Sequence, residues 1–247
     1  AYLELSNDKW TFVAGQYWDI ISPLNPFTLN YPVMWGGGNI GYRRPQLSVA
    51  HRIKTGKTLL TFQAGVFRTI SGDLDNDGID DGTEEGAPTL QGRIAAQFPF
   101  KNEGSIQLGI SAHSGKSKGA VDYDSNSINL DLSLVFSKRL TVLGEFYTGK
   151  NMLPFFGGIV QGVNAALQKE VESTGFFATI VAGLTPKLKL NTGYGQDKPD
   201  EKTLSTGNRS QNQIVFANLM CSLSKAVSFG FEIYHVATDY LGTDSQN

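Results

Sequence analysis

Residues 105–149 read SIQLGISAHSGKSKGAVDYDSNSINLDLSLVFSKRLTVLGEFYTG. Two segments in this stretch show most clearly an alternation with a period of two. In 105–114, Ile106, Leu108, Ile110 and Ala112 fall on one face, with Gln107, Gly109, Ser111 and His113 on the other. In 126–137, Ile128, Leu130, Leu132, Leu134 and Phe136 stand opposite Asn129, Asp131, Ser133 and Val135. Strict alternation of this kind is the signature of a strand with one apolar and one wet face. A half-buried sheet in a soluble protein gives the same pattern, so a single strand decides nothing. Persistence over strands about ten residues long does, because that length crosses a bilayer when tilted.

Working outward, similar segments fall near 2–6, 9–18, 41–53, 58–70, 89–100, 140–149, 174–184, 188–196, 212–223 and 226–238. The chain then holds about twelve strands. Their connections take turns. Short ones fall at 6–8, 55–57, 101–104, 138–139, 186–187 and 224–225, and long ones at 19–40, 71–88, 115–125, 150–173 and 197–211. A soluble sandwich has no reason to collect every long loop at one end, whereas outer-membrane barrels have short periplasmic turns and long external loops. Aromatic residues gather near strand ends, with Trp10, Phe98, Phe100 and Phe136 by the short turns and Tyr17, Trp18, Tyr42 and Tyr147 by the long loops. Two interfacial girdles have this look. The fold class expected is all-β, a transmembrane antiparallel β-barrel forming one domain over 1–247.

Composition agrees. The 247 residues carry a net charge of −2, which suggests no nucleic-acid partner. The single thiol, Cys221, excludes a disulfide framework. No run of eighteen apolar residues exists to make a membrane-spanning helix. The chain opens directly in a strand pattern without a signal peptide, and it stops at Thr243–Asn247 in what reads as a loop. Open sheet edges are not tolerated in lipid, so the sequence is expected to be the interior of a longer chain.

The long connection within 15–47, GQYWDIISPLNPFTLNYPVMWGGGNIGYRRPQL, is irregular, apolar and punctuated by Pro23, Pro26, Pro32 and the triplet Gly36–Gly38. Structureless loops of this length are usually functional. One so rich in Ile, Leu, Phe, Met and Trp must fold into a cavity or against another subunit. Its AGQ-x-W-D start and GN-x-GYRRPQL finish resemble a segment of the DcaP-like outer-membrane porins, as does FFGGIVQGVN at 155–164. The resemblance implies a trimeric, sixteen-stranded porin in the outer membrane of a Gram-negative bacterium, passing small, mainly anionic solutes such as dicarboxylates. A homotrimer would also give the apolar loop a place to bury Phe27, Leu29, Val33, Met34 and Trp35.

Inward parity nominates the pore lining. Arg44, Arg52, Gln91 and Arg93 come early in the chain, followed by His113, Asp131, Glu145, Tyr147, Lys189 and Glu232. Arg44, Arg52 and Arg93 are expected to form a ladder along one wall, tempered by Asp131 and Glu145 opposite, giving modest anion preference.

Two loops carry further expectations. Asp73, Asp75, Asp77, Asp81 and Glu84, with the Ile79 carbonyl, match the ligand spacing of a twelve-residue calcium loop that has glycine at position 6, here Gly78. Seven carboxylates between Asp73 and Glu85 would repel unless a Ca2+ ion gathers them, although position 8 is Asp80 instead of the usual apolar residue. In 150–173, residues 164–172 are expected to form two helical turns, with the loop narrowing the pore or packing on a neighbour. An enzyme is not expected, since no Ser or Asp accompanies His51 or His235 on a common face. The competing class is a soluble or surface calcium-binding adhesin or lectin-like β protein.

Overall fold

The computed structural model describes residues 1–73, 78–100, 103–118 and 121–242. Twelve strands form one antiparallel sheet. They are β1 (Tyr2–Ser6), β2 (Trp10–Trp18), β3 (Arg43–Thr55), β4 (Thr58–Phe67), β5 (Thr89–Pro99), β6 (Ser105–Lys118), β7 (Asp122–Ser137) and β8 (Leu140–Lys150). After a two-stranded hairpin, β9 (Val163–Asn164) and β10 (Lys169–Glu170), come β11 (Glu172–Gly183), β12 (Leu188–Pro199), β13 (Arg209–Ser222) and β14 (Ser228–Tyr240). The sheet order runs β1 to β8 and then β11 to β14, each strand hydrogen-bonded to its sequence neighbours. This meander is the up-and-down topology of a membrane barrel.

Register holds the two faces apart. Leu108 pairs with Leu132 and Ile110 with Leu130, and these four side chains are 36–50% exposed on the outer face. Leu90, Ile94, Phe146, Phe176, Ile180, Val215, Leu219 and Phe231 continue the same exposed apolar face across other strands. A ten-residue strand is about 33 Å long, so at a tilt near 45° it covers about 23 Å, close to the height of a barrel's lipid-facing band. Because successive side chains alternate, an apolar outer face leaves the opposite residues to line the inside.

Two local expectations are corrected. The connection expected at 115–125 is mostly strand, since β6 runs to Lys118, β7 begins at Asp122, and Lys118 pairs with Asp122. Ser, Lys, Gly and Asp suit a solvated hairpin end as well as a loop, so their polarity hid the extension. The helical turns expected within 164–172 are instead the β9–β10 hairpin, with Asn164 opposite Lys169. Gln168, at its tip, has a φ of 49°, a left-handed turn conformation that an α-helix does not use.

Candidate functional site

The connection between β2 and β3 crosses the inner face of its own sheet, and the strands hold it by its backbone. The Ile20 N–H donates to Gln91 Oε1 on β5 at 3.0 Å. On β8, the Glu145 carboxylate accepts the Leu24 N–H at 2.7 Å and the Ser22 hydroxyl. Thr179 on β11 donates to the Pro26 carbonyl at 3.1 Å, and Asn218 on β13 to the Phe27 carbonyl at 2.9 Å. At the far side, Glu232 on β14 accepts the N–H groups of Leu29 and Asn30 at 2.7 and 2.9 Å. One loop touching β5, β8, β11, β13 and β14 on one face requires that face to be concave.

The return half lies on the sheet backbone itself. A Cβ added to Gly38 would sit 2.0 Å from the Phe176 carbonyl oxygen, and one added to Gly195 the same distance from that of Gly37. Gly36 and Gly38 also take φ values of 70° and 91°, which side-chain-bearing residues rarely adopt. Glycine is therefore needed on both surfaces of this contact. Beside it, Met34 is buried with Leu143, Phe177, Ile214 and Phe216, an apolar patch on an otherwise polar inner wall.

The connection after β8 packs against the first. Gly36 N–H donates to the Phe156 carbonyl at 3.0 Å and Gly41 N–H to that of Phe155 at 2.8 Å, while Trp35 and Phe156 stack with ring centroids 4.2 Å apart. Its own anchor is on the wall, where Gly158 N–H donates to the Tyr147 hydroxyl at 2.8 Å and Ile159 N–H to Asp197 Oδ2 at 3.0 Å. Two connections thus form one plug that narrows the interior.

Compared with solved structures, 99% of the chain aligns with 70% of the outer membrane channel DcaP of Acinetobacter baumannii, with a TM-score of 0.72 and 15% sequence identity. The chain has the fold of an outer-membrane porin. A similar match, with a TM-score of 0.62 and 12% identity, joins 96% of the chain to 66% of the anion-selective porin from Comamonas acidovorans. A third porin is matched over 95% of this chain and 75% of its own, with a TM-score of 0.57 and 12% identity. No family model matches the chain, and no curated protein is similar to it in sequence. A porin fold is built for an outer membrane, and the apolar outer face is the surface it presents to lipid.

On this porin fold most of the residues nominated as lining are packed away from solvent. Arg44, Gln91, Arg93, His113, Asp131, Glu145 and Tyr147 are all buried under the two connections or against each other. The arginine ladder is correspondingly neutralised. Arg44 Nε lies 2.8 Å from Asp19, its Nη2 donates to the Pro154 carbonyl, and its guanidinium sits 4.2 Å from the Phe155 ring centre. Burial pushes the Asp19 carboxyl up from its ordinary value, while Arg44, the Gln91 amide and the Tyr42 N–H pull it back toward the ionised form. Arg93 grips Asp131 with Nε and Nη2 at 2.8 and 2.7 Å, a bidentate pair, instead of facing it across the pore. Arg52, partly exposed, donates to the Thr11 hydroxyl at 3.0 Å, and Lys189 is exposed.

The apolar connection over 19–40 also lies against its own sheet, so its burial is no argument for a trimer. Sequence parity identified the inner face but missed Asp19, Asp197 and Asn218 as anchors. The only available signal was the need of a long apolar loop for partners on a wet wall.

For the calcium pattern, Asp75 and Asp77 lie outside the described residues, as does the Asp81 side chain. Asp73 Oδ2 accepts the Gly78 N–H at 3.0 Å, and Gly78 takes a φ of 92°. Asp80 accepts the N–H groups of Ser71, Gly72 and Thr83, which places it as the cap of a single helical turn, Asp81–Glu84. That local duty accounts for a carboxylate at the position a calcium loop keeps apolar.

Proposed function

We propose that this chain forms a water-filled outer-membrane pore through which small solutes diffuse, with a modest preference for anions that extends to dicarboxylates, and that it has no enzymatic role. One observation carries the reading: an antiparallel sheet whose outer face is apolar and whose inner face holds the β2–β3 connection. A sandwich of an adhesin or lectin would bury the apolar face between two sheets, and here that face is exposed. Anion preference is supported by the pairing of inner-face acids. Asp131 and Asp19 are matched by arginines and Glu145 and Glu232 by backbone N–H groups, while Arg52 and Lys189 have no carboxylate within 4 Å among the described residues. The likeness to an anion-selective porin points the same way.

The homotrimer rests on the sequence resemblance alone, and native mass in detergent tests it. A calcium ion in 73–84 is supported by the turn at Gly78, where the loop pattern requires glycine. Reconstitution in a planar bilayer under a salt gradient tests the transport reading: ion conduction with a reversal potential of anion sign is expected, whereas a protein that purifies from the aqueous fraction without detergent would favour an adhesin.

A further inference from the structure

The two glutamates that hold the β2–β3 connection differ in what they accept. Glu145 receives one N–H, from Leu24, and one hydroxyl, from Ser22. A hydroxyl can turn and accept, so Glu145 can take up a proton on the Ser22 side without losing the Leu24 bond. Glu232 receives N–H groups only. Its Oε1 accepts Asn30 N–H at 2.9 Å, and its Oε2 accepts Leu29 N–H at 2.7 Å and Asn218 Nδ2 at 2.9 Å. A protonated carboxyl turns one oxygen into a donor. On Glu232, whichever oxygen carried the proton would face an N–H that cannot reverse.

Asn218 cannot relieve this by turning its amide over. The same Nδ2 donates to the Phe27 carbonyl at 2.9 Å, and the amide oxygen accepts Asn191 Nδ2 at 2.8 Å. Asn191, Asn218 and Glu232 are register partners on β12, β13 and β14, so this orientation is set across three strands. Nearby charge offers no substitute either. Among the described residues no Lys, Arg or His nitrogen lies within 4 Å of the Glu232 carboxylate. On β14 the titratable neighbour of the same parity is Tyr234, whose hydroxyl accepts Asn30 Nδ2 at 3.4 Å, and His235 has the opposite parity. On β12, Lys189 shares the inward parity two positions from Asn191, and residues 20–30 of the connection carry no titratable side chain. Glu232 is only partly buried, so solvent protons reach it, whereas Glu145 is buried.

We propose that Glu232 is a proton-released latch on the β2–β3 connection. Its ionised carboxylate pins Leu29 and Asn30 to β14, and protonation frees residues 28–30 while Glu145 keeps its hold. The grip needs the ionised form, so it is present at neutral pH and lost as the pH falls. What remains on β14 at this edge is the contact of Leu29 with Gly230, where a Cβ would lie 2.6 Å from Leu29 Cδ1. The bonds from Thr179 and Asn218 to the carbonyls of Pro26 and Phe27 lie just before the freed segment and limit its extent. The latch goes beyond the transport reading and rests on it only for its effect on current.

Limited digestion of the full-length protein with chymotrypsin at neutral pH reads the latch without current. Glu232→Gln keeps the side chain's shape and makes one terminal atom a permanent donor. It is expected to be cut after Phe27 and Tyr31 about tenfold faster than the unmodified protein, the factor that corresponds to about 1.4 kcal/mol. Glu145→Gln should be cut at close to the unmodified rate. In a planar bilayer, acidification from about pH 7 to about pH 4, the range in which carboxyl groups titrate, should reversibly raise conductance and its noise in the unmodified protein and in Glu145→Gln. Glu232→Gln should start from the raised level and not respond. Glu232→Gln cut no faster than Glu145→Gln, an equal acid response in Glu232→Gln, or a conducting unmodified protein indifferent to acid overturns the latch. A protein that does not conduct in any form, but whose cleavage still depends on Glu232, would sink the pore reading and leave the latch standing.

Discussion

The Tyr147 hydroxyl donates to the Asp197 carboxylate at 2.6 Å, passing directly over Gly175. Gly175 is the register partner of both residues, Tyr147 on β8 and Asp197 on β12. A Cβ at that position would lie 2.3 Å from the tyrosine ring and 3.1 Å from Gly38 Cα. The missing side chain of one residue therefore lets a wall-to-wall bond form and leaves room for the plug. That bond in turn presents the two acceptors, the phenol oxygen and Asp197 Oδ2, that receive Gly158 and Ile159.

Removing the hydroxyl with Tyr147→Phe leaves Gly158 N–H without its acceptor and Asp197 Oδ1 without the tyrosine donor, while Ile159 N–H stays on Oδ2. Each unsatisfied buried group costs about 1–3 kcal/mol. Because that loss falls on the plug, protease should cut at Lys169 sooner, while the sheet keeps its folded mobility on an unheated gel. Gly175→Val should do the same more strongly, since it also displaces the ring.

Glu145 and Glu232 hold the constriction at opposite sides by accepting backbone N–H groups. Each such hydrogen bond contributes about 0.5–1.5 kcal/mol. Glu145→Ala/Glu232→Ala should loosen residues 22–30, raising single-channel conductance and its noise. Glu145→Gln keeps an acceptor for the Leu24 N–H and should conduct closer to the unmodified protein.

The arginine ladder expected from parity makes a distinguishable prediction. If Arg93 set selectivity as a free charge, Arg93→Ala would move the reversal potential and adding Asp131→Ala would leave it moved. The observed bidentate pair predicts otherwise. Arg93→Ala uncovers the Asp131 charge and shifts selectivity toward cations, while the double variant returns toward the unmodified value.

How far the sequence disclosed this arrangement follows from what each signal encodes. Alternation in 105–114 and 126–137 reports a local period, and the period of a strand is fixed by its backbone, so the faces were legible, whereas the register between strands was not. Leu108, Ile110, Leu130 and Leu132 stand outward as the pattern requires. Parity cannot report what lies above an inward residue. Glu145 has the pattern of a lumen carboxylate, yet its partners are Ser22 and Leu24, more than a hundred positions away in the chain. The same holds for Arg44, whose neighbour Asp19 belongs to a loop with no period to read. The glycine triplet 36–38 signalled close packing, but its counterpart Gly195 sits inside a strand pattern, where only the assembled sheet shows why a side chain is excluded.

The loop at 73–84 yields a chemical test. With Ca2+ bound by oxygens at about 2.3–2.6 Å, chelation should loosen the loop and speed its proteolysis. Equal cleavage with and without chelator would mean a solvated acidic loop.

Charged substitutions on the outer face separate lipid from solvent there. Leu130→Arg should cost about 2–4 kcal/mol if the side chain faces the bilayer midplane, measured by denaturant unfolding in lipid vesicles. A change within about 0.5 kcal/mol is what an ordinary solvated surface position would give.

The claim that the β2–β3 connection constricts a pore is tested most directly by single-channel conductance in a planar bilayer, comparing the full-length chain with a variant in which residues 22–38 are replaced by a short Gly/Ser linker. The account predicts that both conduct and that the linker variant carries several-fold more current with weaker ion selectivity. Equal conductance in the two would contradict it, because a loop pinned across the inner wall cannot be removed without widening the path.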